Sequence, residues 1–145
     1  MHVRSDRRFH FDASAEVFWA AIAAVDDYRR WWPWLRVFEA RGLVVGDHWR
    51  CVVQPPLPYG LCFVLDIEEV VPNRMVRVSV SGDLRGEARL DVDDAAGGSD
   101  VRLRSDLTPV AALPRAVATM APPVARFGHD WVLDNGIRQF RQRAL

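Results

Sequence analysis

One histidine stands in a setting where it could do chemistry. His129 lies in "ARFGHDWVLDNGIRQF", where Val132, Leu133, Gly136, Ile137 and Phe140 follow at spacings that share its helical stripe. An imidazole on an apolar face can act as general acid or base near neutral pH, or orient a ligand carbonyl. A structural histidine bonded to backbone is the bland alternative. Ser105 alternates with Leu103 and Leu107 in "VRLRSDL", so its hydroxyl shares their face and could orient a bound molecule or bond its own strand. No Gly-x-Ser-x-Gly elbow surrounds it, which argues against a serine hydrolase. In "GDLRGE", Asp83, Arg85 and Glu87 fall opposite Leu84, Gly86 and Ala88. They read as a solvent-face charge ladder, unless a bulge at Gly82 shifts the parity. Gly86, on the inner side, leaves room for a ligand or a helix to approach the strand. Tyr59, in the proline-rich "QPPLPYGL", could offer a hydroxyl at the rim of a cavity.

His2, His10, Asp47 and His48 show no metal-ligand spacing, so no metal site is expected. Neither Gly-x-Gly-x-x-Gly nor a phosphate-binding Gly-Lys-Ser/Thr motif occurs, so no cofactor is expected either.

The stretch "YRRWWPWL", Tyr28 to Leu35, places Trp31, Trp32 and Trp34 within four residues. A membrane-lying helix would need a sustained basic face, and here Pro33 breaks the helix after Arg29 and Arg30. A base-stacking platform would need a basic groove. With 19 basic and 19 acidic residues the chain is neutral, and no nucleic-acid partner is expected. A cavity wall or core filling remains, with Trp32 expected in the core and Trp34 as the less certain cavity contact.

The elements that would position these residues follow from periodicity. Arg7 to Phe11 reads as a first strand, with Phe9 and Phe11 on one side. Ser14 caps a helix through "AEVFWAAIAAV", and "DDYRRWW" gives a second, short one. Six strands follow: "RVFEARGL", "DHWRCVV", "LCFVLDIEEVV", "MVRVSVSG", "LRGEARLDV" and "VRLRSDL", with "DDAAGGSD" as a turn between the last two. Short connections and one polar face imply an antiparallel sheet. A long helix from about Pro123 to Arg143 closes the chain. Met120, Val124, Phe127 and Trp131 form one apolar stripe on it and the His129 set a second, so burial on two sides is expected.

Length, 145 residues, fits one domain spanning 1–145. No run of about 18 apolar residues exists to span a membrane. The N-terminal "MHVRSDRRFHFD" is too charged for a secretory signal, so a cytoplasmic location is expected. Cys51 and Cys62 are then expected to be reduced.

This order, with the phrases "FDASAEVFWAAIAAVDDYRRWWPWL", "VSVSGDLRGEARLDV" and "ARFGHDWVLDNGIRQFRQRA", resembles the START-like (SRPBCC) superfamily, nearest its polyketide cyclase/dehydrase-like branch. The resemblance implies an α+β helix-grip fold: a curved antiparallel sheet of about seven strands wrapped around a long C-terminal helix, with two short helices after the first strand. It also implies a deep apolar cavity between sheet and helix, open near the short helices. On that fold the sheet would contribute Phe63, Val78, Gly86, Ala88 and Ser105. The final helix would contribute His129 and Leu133, the tryptophan cluster Trp32 and Trp34, and the proline loop Tyr59. The leading expectation is binding of a hydrophobic small molecule, aromatic or polyketide-like or lipid-like. A polyketide aromatase/cyclase or dehydratase using His129 as acid/base, and a partner-binding or quinone-chaperone-like module, are the alternatives. The last would show a large exposed apolar patch.

Overall fold

A computed structural model describes residues 2–145. Strand β1 (Val3–Phe11) leads into helices α1 (Ala15–Ala23) and α2 (Tyr28–Trp31), joined by a 3-10 turn at Val25–Asp27. Strands β2 (Leu35–Glu39), β3 (His48–Val53), β4 (Leu61–Val71), β5 (Met75–Gly82), β6 (Leu84–Ala95) and β7 (Gly98–Pro109) follow, then α3 (Ala112–Met120) and α4 (Pro122–Arg143). All seven strands form one antiparallel sheet in the order β1-β7-β6-β5-β4-β3-β2. Consecutive strands β1 and β2 thus occupy opposite edges, and α1 and α2 make the crossing between them. The sheet is curled around α4, as expected of a helix-grip fold.

The local chemistry explains the elements. Ser14 accepts a hydrogen bond from the Val17 amide at 3.2 Å and so caps α1. β5 alternates as its sequence does: Val76, Val78 and Val80 are buried, while Arg77 and Ser79 face the outer side. α4 begins with Pro122 and Pro123 in its first turn, where a missing N–H leaves nothing unpaired. At 22 residues it is about 33 Å long.

Its C-terminal half is anchored in an aromatic cluster. Phe140 meets Phe11, Phe18 and Trp31 with ring centroids 5.4 to 5.7 Å apart. Tyr28 extends that cluster to Phe38 and Trp49. Three hydrogen bonds tie the tryptophan segment to the same half-helix. Trp32 Nε1 donates to the Gly136 carbonyl at 2.9 Å, Trp34 Nε1 to Gln139 Oε1 at 2.8 Å, and Arg143 Nη1 to the Trp31 carbonyl at 2.7 Å.

Several expectations need correction. β1 starts at Val3, four residues earlier than the hydrophobic alternation indicates, because its outer face is held by charge pairs with β7, such as Arg4–Asp106 and Asp6–Arg102. The second short helix divides into the 3-10 turn and α2. The strand expected over "RVFEARGL" ends at Glu39, and the following loop is held by Asp47, whose carboxylate accepts from the Arg41 and Gly42 amides. β6 and β7 run on to a tight hairpin pairing Ala95 with Gly98, so most of "DDAAGGSD" is strand.

The largest difference is α3, a helix not anticipated. It separates Met120 from α4, and the stripe through Met120, Val124 and Phe127 crosses the break at Ala121. That stripe faces solvent: Met120 is 85% exposed and Phe127 51%. α4 is therefore buried chiefly along the His129–Phe140 stripe.

Candidate functional site

Between the sheet and α4 lie two apolar voids of about 240 and 320 Å³. The first lies under the N-terminal half of α4, with Tyr59, Phe63, Ser105, Gly128 and His129 among its walls. The second lies under the C-terminal half, against Trp32, Trp34, Trp49, Val78 and Ile137. Leu65, Ala88, Leu103, Val132 and Leu133 line both, so the voids meet at a waist of five aliphatic residues. An elongated apolar space results, in the size range of small-molecule sites.

Tyr28, Trp32, Trp34, Trp49 and Arg89 also line the second void, but each already donates a hydrogen bond within the protein, so among the described residues the uncommitted polar groups gather at the other end. Tyr59, Ser105 and His129 bring side-chain polar atoms to the first void among the described residues. Ser105 sits on the inner face of β7 opposite Ala88 of β6. Tyr59 comes from the loop between β3 and β4, which is stapled by one side chain. Gln54 Nε2 donates to the carbonyls of Pro55, Leu57 and Tyr59 at 3.1 to 3.2 Å. This rigid loop carries Leu57 onto Gly128 of α4.

His129 is 14% exposed. Its Nδ1 lies 3.3 Å from Asp130 Oδ1, which also accepts from Arg7 Nη2 at 2.8 Å. Arg7 reaches Asp134 as well, so it bridges two carboxylates on successive turns of α4. Burial pushes the imidazole below its ordinary value, opposed by the Asp130 pairing. For Asp130, burial pushes the carboxyl up, but the bond to His129 and the charges of Arg7 and Arg126 together hold it low.

The expected site residues therefore divide. Tyr59, Phe63, Ser105 and His129 line the polar-ended void, Trp32, Trp34 and Val78 the other, and Ala88 and Leu133 the waist. Gly86 lines neither. Its φ is +152°, and a Cβ there would lie 1.9 Å from the Asp106 carbonyl oxygen. The glycine is required by strand–strand approach, not by a ligand. Trp31, not Trp32, is the core tryptophan at 5% exposure, while Trp32 and Trp34 stack on each other at 5.6 Å. Asp83 does not join Arg85 and Glu87 in a surface ladder, since its carboxylate accepts from the Cys62 amide at 2.8 Å. The polar-ended void lies away from α1 and α2, with Pro114 of α3 among its walls, so the tryptophan segment and the proline loop stand at opposite ends of the space.

Arg7 and Asp130 were not expected at the site, and Gln54 and Leu57 were expected only as part of the proline-rich rim. Arg7 carried a signal: it shares the inward parity of Phe9 and Phe11, where an arginine needs an anionic partner. Cys51 and Cys62 point to opposite faces and are both free; burial pushes the Cys51 thiol up to about 12, which leaves it unreactive. No group of three or more His, Cys, Asp or Glu side chains converges among the described residues. No helix among them is long and apolar enough to cross a membrane.

Comparison with known proteins adds the family. The family described as polyketide cyclase/dehydrase and lipid transport matches residues 2–144. The chain belongs to that family. Solved structures show the same fold at low identity. A START superfamily protein from Mycobacterium smegmatis has a TM-score of 0.74 at 13% identity, covering 99% of this chain and 97% of that one. The Zhui aromatase/cyclase from Streptomyces sp. R1128 has a TM-score of 0.71 at 14% identity, covering 98% and 90%. An uncharacterized protein from Rhizobium leguminosarum has a TM-score of 0.70 at 14% identity, covering 99% and 97%. A search among curated proteins finds no match. At these identities the solved structures speak for the START-like fold alone.

Proposed function

We propose that this protein binds a hydrophobic small molecule, elongated and at least partly aromatic, in the space between the sheet and α4. The observation that carries this reading is the pair of apolar voids joined at Leu65, Ala88, Leu103, Val132 and Leu133. A folded core normally closes such space, because unfilled volume forfeits dispersion contacts and destabilises. The wall is mostly aliphatic and aromatic, and the polar side chains without protein partners among the described residues, Tyr59 and Ser105, stand with His129 at one end, which suits a ligand with one polar terminus. Membership of a family whose description includes lipid transport agrees with it. The test is native mass spectrometry of the purified protein mixed with naphthalene-sized aromatics. A one-to-one complex that survives desalting supports the reading, and absence of any complex at saturating aromatic overturns it.

A second reading is an aromatase/cyclase or dehydratase, favoured by the Arg7–Asp130–His129 chain behind the cavity wall. A neutral imidazole, oriented by a carboxylate, is equipped to take a proton from a bound polyketide-like chain. Single-turnover assays with a poly-β-ketone thioester would test it: cyclised or dehydrated product lost in His129→Leu supports it, and no product from the wild type counts against it. The partner-binding reading has the exposed Leu113, Met120, Val124 and Phe127 in its favour, but the internal voids give it no role.

A further inference from the structure

His129 has a backing that decides which of its nitrogens donates. Nδ1 faces Asp130 Oδ1 at 3.3 Å. That carboxylate is held ionised by Arg7 at 2.8 Å, with Arg126 at 3.9 Å from its other oxygen. An ionised carboxylate only accepts, so the hydrogen between the two must belong to Nδ1. In a neutral imidazole, Nε2 is then a lone-pair acceptor. The ring lines an apolar wall, and burial favours its neutral form. The charged groups packed around it are Asp130 and Arg126 from α4 and Arg7 from β1. Tyr59, from the β3–β4 loop, is the other titratable side chain lining that void among the described residues, and burial keeps its phenol protonated.

The remaining polar groups do not discriminate. The hydroxyls of Ser105 and Tyr59 can each donate or accept. A deprotonated Nε2 can only accept. We infer that the cavity selects apolar ligands bearing a hydrogen-bond donor, such as phenols, over matching ethers, with His129 Nε2 reading the donor and Asp130, clamped by Arg7, fixing its tautomer. This inference rests on the proposed ligand-binding reading. A ligand with no donor would leave Nε2 unpaired in an apolar wall once water is displaced, a mismatch that lowers affinity about tenfold or more.

The test compares 2-naphthol, 2-methoxynaphthalene and naphthalene by isothermal titration calorimetry. The pH is set above the titration of His129 and below that of the naphthol. The expected result is 2-naphthol about tenfold tighter than the ether, with the preference abolished in His129→Leu. Lowering the pH through the His129 titration turns Nε2 into a donor, and the preference then moves toward the ether. Imidazole two-bond nitrogen–proton NMR spectra of the wild type read the tautomer directly. The Nδ1–H form is expected for His129, with loss of that fixed form in Asp130→Leu checked for native circular dichroism. Equal affinity for all three compounds, or an Nε2–H tautomer, overturns the inference while leaving the binding site standing. Failure of all three to bind overturns the ligand-binding reading and the inference with it.

Discussion

The Leu57 side chain occupies the place where a side chain at position 128 would stand: a Cβ built on Gly128 comes within 2.5 Å of Leu57 Cδ1. One residue belongs to the proline loop and the other to α4, so this contact seats the loop on the helix at the polar end of the cavity.

Gly128→Ala should separate the two effects of that glycine. Alanine gains about 1 kcal/mol of helix propensity, while Leu57 must swing away. Thermal stability is expected to stay within a few degrees of the parent. Stopped-flow measurement should find faster exchange of a bound aromatic, because the loop no longer seats on the helix.

Phe140→Ala should be the most damaging single change to α4. Phe140 is 3% exposed and touches three aromatic rings. A buried phenylalanine truncated to alanine typically costs about 3–5 kcal/mol, to be read by urea denaturation. A loss under about 1 kcal/mol would mean that the aromatic cluster does not anchor the helix.

Substitutions on the other side of the helical pair should do little. Met120→Ser and Phe127→Ser alter exposed side chains, and each is expected within about 0.5 kcal/mol of the parent.

Stability should fall as pH drops below the ordinary histidine value of 6.5, given the lowered value of His129. Between the folded and unfolded values the unfolded chain binds more protons, so unfolding free energy rises with pH through that window and levels off above it. Asp130 acts in the same direction at lower pH, its contribution being present above its ordinary 3.8 and lost as pH falls. Chemical denaturation across pH should show both. His129→Leu should flatten the upper portion; an unchanged slope there would contradict a buried neutral imidazole.

The valines of β5 and the Ser14 cap announced their elements because local pattern and tertiary role agree there. α3 gave little local signal because Pro114 stands within it, and of its residues only Met120 reads as part of a stripe, the one shared with Val124 and Phe127 across the break at Ala121. Gly86 was misread because a missing side chain looks the same whether a ligand or a neighbouring carbonyl needs the space. The Arg7–Asp130 pair joins residues 123 positions apart, and no local spacing reports it. In the tryptophan segment Trp32 and Trp34 line the second void, and Trp31 took the core position because it closes α2 facing Tyr28 and Phe140.

Whether a ligand lies between the sheet and α4 is read from the intermolecular nuclear Overhauser effects of bound 2-naphthol. Contacts are expected to the methyl groups of Ala88, Leu103, Val132 and Leu133, in the waist shared by both voids. Contacts confined to Leu113, Met120 and Val124, on the exposed face of α3 and α4, would contradict that placement.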